Sequence, residues 1–169
     1  MDEDQDLAEF CRLRYPALVG SLGLYCGDKW IAEELAQEAL VRLWQNWKRV
    51  RRLQSPEGWL HRVGLNLARS GFRRRQAEAR AKARLATMAN DAPVQELAEV
   101  LTMRDAIVQL PRRKKTALIL RYYLDMSFAE VADVMDVPLP TAKSLARRAL
   151  EDLRDQLGTS EMEEEMNAI

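Results

Sequence analysis

Five side chains between residues 59 and 73 have the types and spacing to hold single-stranded nucleic acid. In "GWLHRVGLNLARSGFRRR", residues 58–75, a helix turning about 100° per residue brings Trp59, Arg62, Asn66, Arg69 and Arg73 to one face. An aromatic plane can stack on an unpaired base. An amide can read the base edge, and guanidinium groups can hold the phosphates alongside. Arg74 and Arg75 extend the charge. Leu60, Val63, Gly64, Leu67 and Gly71 collect on another face. Glycine inside a helix costs about 1 kcal/mol relative to alanine, so Gly64 and Gly71 call for a helix packed very close. These residues alone leave a plainer alternative open, with Trp59 in the core and the arginines solvated.

A second set lies near the C-terminus. "SFAEVADVM", the turn "DVPLP" and "TAKSLARRALEDLRDQL" read as a helix-turn-helix. Ala129, Val131, Ala132 and Met135 are small or apolar, as close crossing of two helices requires. The second helix carries Thr141, Lys143, Ser144, Arg147 and Arg148 near its start, where side chains can reach phosphates or guanine edges. An ordinary helical hairpin with a solvated basic face is the alternative; the preceding "LPRRKK" and "ALILRYYL" favour DNA. A third set, Glu34, Gln37 and Glu38 with Glu33 beside them, forms an acidic ridge on one helix. Like charges four apart cost a few tenths of a kcal/mol. Such a ridge repels DNA and suits a basic protein partner, although a solvated face is the commoner explanation of such a ridge.

No catalytic constellation is legible. His61 has no partner that spacing suggests, and there is no glycine-rich phosphate loop or paired metal-ligand motif. Cys11 and Cys26 stand fifteen apart without a zinc spacing and read as two reduced thiols. The chain therefore reads as a binding protein, not an enzyme, without cofactor or metal.

The elements that position these sets are all helical, because alternating strand patterns bounded by turn residues are nearly absent. The spacing predicts a helix over Asp4–Tyr25, kinked or broken at Pro16, and another over Asp28–Val50 with Ile31, Leu35, Ala36, Ala39, Leu40, Leu43, Trp44 and Trp47 as its apolar positions. A third helix runs from Pro56 to about Gln76, with Ser55 as N-cap. A stretch rich in Ala, Arg and Lys follows, continuing as helix for a few turns before becoming a linker. Further helices are expected over Val94–Leu110 and over about 111–124, 127–135 and 140–157, with Ser127 and Glu130 as a capping box. The fold class is all-α, with two small helical domains joined by a linker.

The formal charge of zero hides a strong segregation. Residues 1–41 carry three positive and nine negative side chains, and residues 42–84 carry thirteen and two. A basic block inside a neutral chain fits a polyanion-binding face, with acidic faces left for another partner. No apolar run approaches the ~18 residues of a membrane span. The acidic start "MDEDQDLAEF" lacks the features of a signal peptide. A cytoplasmic location without membrane insertion is the expectation.

"AEELAQEALVRLW" (32–44) followed by "GWLHRVGLNLARSGFRRR" resembles domain two of bacterial extracytoplasmic-function sigma factors. The segment 110–157 is similar to their domain four, in the family's order and spacing. The resemblance implies domain two over residues 1–76, a linker over 77–101 and domain four over 102–158, and the acidic composition of 159–169 reads as a disordered tail. The resemblance also implies an alternative-type sigma factor that binds core RNA polymerase and directs promoter-specific initiation. Glu34, Gln37 and Glu38 would clamp the β′ coiled coil. Asn66 matches the pocket for a flipped base of the −10 element, Trp59 matches the aromatic of the same helix, and the loop Arg51–Pro56 would help read that base. Thr141 to Arg148 would enter the major groove of the −35 element, and residues around Leu110–Leu124 would meet the β flap. Many relatives are held by an anti-sigma factor. The chain departs from the family at Pro140, Ala142, Leu145 and Leu150, where Gly, Val, Arg and Arg are usual, so the usual −35 sequence is not carried over. A free-standing helix-turn-helix regulator, or an adaptor that docks on polymerase without reading a promoter, are the competing readings; the regulator leaves the Trp59–Arg75 helix and the Glu34–Glu38 ridge unexplained, and core binding without specific initiation would favour the adaptor.

Overall fold

The computed structural model of the chain describes residues 3–86 and 103–167, with side chains described through Gly71, at Glu78, and from Met103 to Gly158. Every regular element among these residues is a helix.

Helix α1 spans Glu3–Cys26 and runs unbroken through Pro16, contrary to the expected kink. Leu7 before the proline and Leu18, Leu22 and Tyr25 after it are all buried, so packing on both sides holds the helix on one course. It ends at Gly27, whose φ of 75° suits glycine and whose amide donates to the carbonyl of Gly23 at 2.9 Å. Asp28 then caps α2 (Lys29–Val50), its Oδ1 accepting from the Ile31 amide at 3.0 Å. Ala32, Ala36, Ala39, Leu43, Trp47 and Val50 form the buried stripe of α2, with Trp47 against Phe10 at 5.1 Å between ring centres.

Helix α3 (Pro56–Ala86) begins as expected, with Ser55 Oγ accepting from the Gly58 amide at 3.0 Å. It continues well past Gln76, because Ala, Arg, Lys, Gln and Glu are strong helix formers and nothing in 77–86 breaks the run. A Cβ at Gly64 would lie 3.2 Å from Leu18 Cδ1, so this glycine does admit a close helix. Gly71 does not: nothing lies within 4 Å of its Cβ position. The buried face is also rotated from the expected one and centres on Leu60, His61, Gly64, Leu65 and Ala68, with Val63 and Leu67 half-buried.

The C-terminal part comprises α4 (Met103–Gln109), α5 (Arg112–Leu118) running into a π-helical turn (Ile119–Tyr123), α6 (Phe128–Met135) and α7 (Leu139–Asn167). The expected start of α4 at Val94 lies outside the described residues. The capping box of α6 is complete: the Glu130 amide donates to Ser127 Oγ at 3.2 Å, and the Ser127 amide donates to Glu130 Oε2 at 2.8 Å. Asp136, at φ 54°, closes α6, and Pro140 falls in the first turn of α7, where a missing N–H costs nothing. Ala142, Ala146, Ala149 and Leu153 bury one stripe of α7. The helix runs on to Asn167 where a disordered tail was expected. "SEMEEEMN" contains no proline or glycine, and Glu and Met favour helix. The side chains of Glu161–Glu165 lie outside the described set.

The two parts touch. Val108 fills the space beside Gly27, Tyr123 lies on Gly20, and Val134 lies beside Gly58. Lys115 Nζ reaches from α5 to the Tyr25 carbonyl at 3.0 Å and the Val108 carbonyl at 2.9 Å, 4.9 Å from the centre of the Tyr25 ring.

Candidate nucleic-acid interface

The face of α3 is assembled much as its spacing predicts. Trp59 is half-buried against the core with its outer side on a cleft of about 670 Å³, shared with Arg62 and with Leu53, Gln54 and Ser55 of the loop before α3. Arg62 also lines a second cleft of about 230 Å³, with Asn66 and Arg69. The four side chains therefore form one continuous strip. The loop is placed to contribute, but Arg51 at its start is turned away, bonded to Asp6 at 3.0 Å. Arg73, Arg74 and Arg75 lie on the α3 backbone, and their side chains are outside the described set. The opposite walls of both clefts belong to the C-terminal part, which also brings Arg112, Arg113 and Thr116 to the smaller one. Spacing gives no hint of this second wall, because it depends on contacts between residues far apart in sequence.

The ridge residues Glu34, Gln37 and Glu38 are all exposed on the outer face of α2. Glu38 pairs with Arg42 at 2.9 Å, Glu33 leans to Lys29 at 3.8 Å, and Glu34 has no ion pair among the described residues. Two tryptophans bracket this ridge. Trp30 is 78% exposed and Trp44 67% exposed, with Val41 also exposed between them. Trp44 was expected among the inward positions. It instead lies past the edge of the Ala32–Val50 stripe, about 100° around the helix from its centre, where an apolar residue can face either way. Exposed tryptophans of this size mark contact surfaces.

On α7, Thr141, Lys143, Ser144, Arg147 and Arg148 occupy the arc opposite the buried alanine stripe. Lys143, Arg147 and Arg148 are exposed, Thr141 and Ser144 half-buried. Arg147 pairs with Glu151 at 2.6 Å. Leu145 and Leu150, which stand where arginine is usual in the resembled family, flank the buried stripe and pack against the core. They supply packing in place of charge.

His61 does have partners. Glu57, one turn earlier on the same helix, places Oε1 3.8 Å from Nε2, and Ser21 Oγ lies 3.5 Å from Nδ1. The i,i+4 spacing of Glu57 and His61 was visible in the sequence. The three residue types could form a nucleophile relay, but Ser21 and His61 are each 1% exposed and Ser21 Oγ donates to the Leu18 carbonyl. Ser21 and His61 are sealed between the helices and pack α1 against α3, while Glu57 stays part-exposed. The nearby His61 imidazole, and Arg14 at 3.0 Å, hold the Glu57 carboxyl below its ordinary pKa against the opposing effect of burial. Burial lowers the Lys115 pKa and raises that of Tyr25, the latter opposed by Arg112 and Arg69. Cys11 and Cys26 are half-buried and form no disulfide, and burial raises the Cys11 thiol. Among the described residues no group of acidic, His and Cys side chains could hold a metal ion, and no helix is long and apolar enough to cross a membrane.

Comparison with known proteins gives matches in both halves. Residues 12–78 match the family model Sigma-70 region 2, and residues 100–153 match Sigma-70, region 4. The chain is 27% identical over 157 residues to the RNA polymerase sigma-E factor of Streptomyces coelicolor, covering 93% of this chain and 89% of that one. It is 28% identical over 142 residues to the ECF RNA polymerase sigma factor SigW of Bacillus subtilis, covering 75% of each. Its fold is similar to the sigma factor RpoE of Bartonella quintana, solved with the anti-sigma factor NepR, at a TM-score of 0.67, 21% identity and coverage of 91% of this chain and 98% of that one. CnrH, solved with the cytosolic domain of CnrY, gives a TM-score of 0.67 at 19% identity and coverage of 92% and 90%. With both family regions in order along one helical chain, and relatives of the same kind aligned through both of them, the protein belongs to the extracytoplasmic-function sigma factors, the alternative sigma factors that direct RNA polymerase to initiate transcription.

Proposed function

We propose that α2 docks this sigma factor on the β′ coiled coil of core RNA polymerase, with Trp30 and Trp44 as apolar anchors around Glu34, Gln37 and Glu38. The carboxylates steer a basic partner, and the tryptophans supply the desolvated contact that carries affinity. Helix α3 then holds one strand of the −10 element open. Trp59 stacks, Asn66 reads an extruded base, and Arg62 and Arg69, continued by Arg73, Arg74 and Arg75, take the phosphates. Unstacking costs a few kcal/mol per base step, and these contacts offset it without nucleotide hydrolysis. Thr141, Lys143, Ser144, Arg147 and Arg148 of α7 enter the −35 major groove, and residues around Leu110–Leu124 meet the β flap. Domain two ends near Gln76 and domain four begins near residue 102. The chain works in the cytoplasm as a non-catalytic subunit, and an anti-sigma factor is its natural inhibitor, the class of partner bound to the RpoE of Bartonella quintana.

One observation carries the reading. The acid-and-tryptophan face lies on α2 and the aromatic–amide–arginine strip on α3, so protein and nucleic acid are addressed by different helices of one domain. The test is co-elution of the chain with core RNA polymerase on a sizing column, beside the variant Glu34→Lys, Glu38→Lys. The wild type is expected to co-elute and the folded variant to run alone. Failure of both to bind would favour a free-standing helix-turn-helix regulator.

A further inference from the structure

Four guanidinium groups from two distant stretches of chain meet at one small cleft. Arg62 and Arg69 reach it from α3, seven residues and about 10 Å of helix apart, and Arg112 and Arg113 reach it from α5. The Asn66 amide lies on the same cleft, one turn from each of the first two. Asp136 is the one acid on this lining among the described residues, so four positive charges meet a single negative one. None of these five charged groups is in an ion pair among the described residues.

A cleft lined by one sign of charge against apolar walls focuses its field and draws in a counter-ion. Leu65, Val134 and Val137 supply such walls: Leu65 is buried, and the two valines pack on the core. Arg112 and Arg69 already act on one point, the hydroxyl of buried Tyr25, whose pKa burial raises and these two arginines, in that order, lower. Size and charge limit the occupant. The cleft holds about 230 Å³, below the roughly 300–1,000 Å³ of pockets that enclose drug-sized ligands. One phosphate, at about −1.5 to −2 near neutrality, would leave part of the positive surplus uncancelled. Planar guanidinium forks match phosphate oxygens in bidentate pairs.

We propose that this cleft binds a compact polyphosphate, a group of two or three linked phosphates, held between α3 and α5. Arg62 and Arg69 take its two ends, Asn66 donates between them, and Arg112 and Arg113 grip it from the opposite wall. The linked phosphates supply enough negative charge to cancel the surplus and enough length to run from one α3 arginine to the other. The group can be free or the end of a nucleoside triphosphate, since both present the same oxygens to the arginines. The site stands whether or not α3 also holds a promoter strand.

The test is isothermal titration of the intact chain with sodium tripolyphosphate at low ionic strength, where such contacts are least screened. Binding of one ligand per chain is expected. Arg62→Gln with Arg69→Gln should weaken it by at least about tenfold, and Arg112→Gln with Arg113→Gln by a similar factor, because each pair removes charge-assisted hydrogen bonds. Circular dichroism checks that both variants are folded. No binding, binding that ignores the α5 pair, or citrate bound as tightly as tripolyphosphate would each overturn the proposal. Adenosine triphosphate separates the two sources: tighter binding than tripolyphosphate supports a nucleotide, and equal or weaker binding supports the free polyphosphate. A fluorescein-labelled dT12 oligonucleotide, read by anisotropy, tests the rival occupant. If the α5 substitutions weaken dT12 binding as much as they weaken tripolyphosphate binding, the cleft is a nucleic-acid groove and the small-ligand site is overturned.

Discussion

The outer face of α2 and the polar face of α3 belong to one three-helix unit and are opposites in almost every property. The first is acidic and bracketed by exposed tryptophans. The second is basic, half-recessed, and walled by α6. Both share α1 as a backing: Leu18 and Leu22 meet Gly64 of α3, and Ala32 of α2 lies 3.9 Å from where a Cβ on Gly23 would be. On the proposed reading, a shared backing lets one helix serve a protein partner and the next a nucleic acid without compromise between them. It also means that a change on one face can be tested for silence on the other.

The sharpest way to break the contrast is through the tryptophans. Trp44→Ala is expected to weaken core polymerase binding by at least about 2 kcal/mol, roughly thirtyfold, because a large aromatic is lost from the centre of a contact. Trp30→Ala should follow the same direction. Binding of dT12 should not change in either. Isothermal titration with core polymerase measures the first, and an unaltered polymerase affinity would remove the tryptophans from the docking face. On the α3 side, Asn66→Ala is expected to destabilise the open promoter complex by about 1 kcal/mol, roughly fivefold, while the closed complex and polymerase binding are unchanged. Permanganate footprinting alongside gel-shift titration separates the two steps; equal losses in both would take Asn66 out of the base pocket. The smallest effect concerns how α3 is seated. Glu57 has a lowered folded-state pKa, so its stabilisation is complete above the ordinary value of 4.5 and is lost as the pH falls through the lowered one. A part-exposed pair of this kind contributes about 0–1 kcal/mol. Melting curves of the wild type and Glu57→Gln should therefore differ near neutrality and converge in acid; a constant gap would assign the difference to packing instead of charge.

Much of the architecture was legible because it depends on neighbours in sequence. Ser55, Ser127 with Glu130, and the αα-hairpin of α6 and α7 are local devices that act within one turn. The strip on α3 was legible for the same reason. Trp44 was misjudged because an apolar residue at the margin of a stripe satisfies the helical period whichever way it faces. Pro16 was misjudged because the local penalty is overridden by burial on both sides of it. In 159–167 the negative charge argued for disorder while the intrinsic preferences of Glu and Met argued for helix, and the second prevailed. The far wall of the clefts had no local signal at all. Lys115 meets the Tyr25 carbonyl across 90 positions of chain, and nothing in the spacing of either segment announces the other.

Gly20, Gly27 and Gly58 carry a consequence for how such chains diversify. Gly20 and Gly27 each make room for a side chain of the C-terminal unit, Tyr123 and Val108, whereas the space at Gly58 is taken first by its own cap, Ser55 Oγ, with Val134 in ordinary contact. Keeping such a contact requires the vacancy and the residue that fills it to change together. A chimera that joins this N-terminal unit to the C-terminal unit of a relative would keep every helix of its parents, yet lose the match of notch to side chain. Each half would keep its own core, and the seam between them would no longer fit.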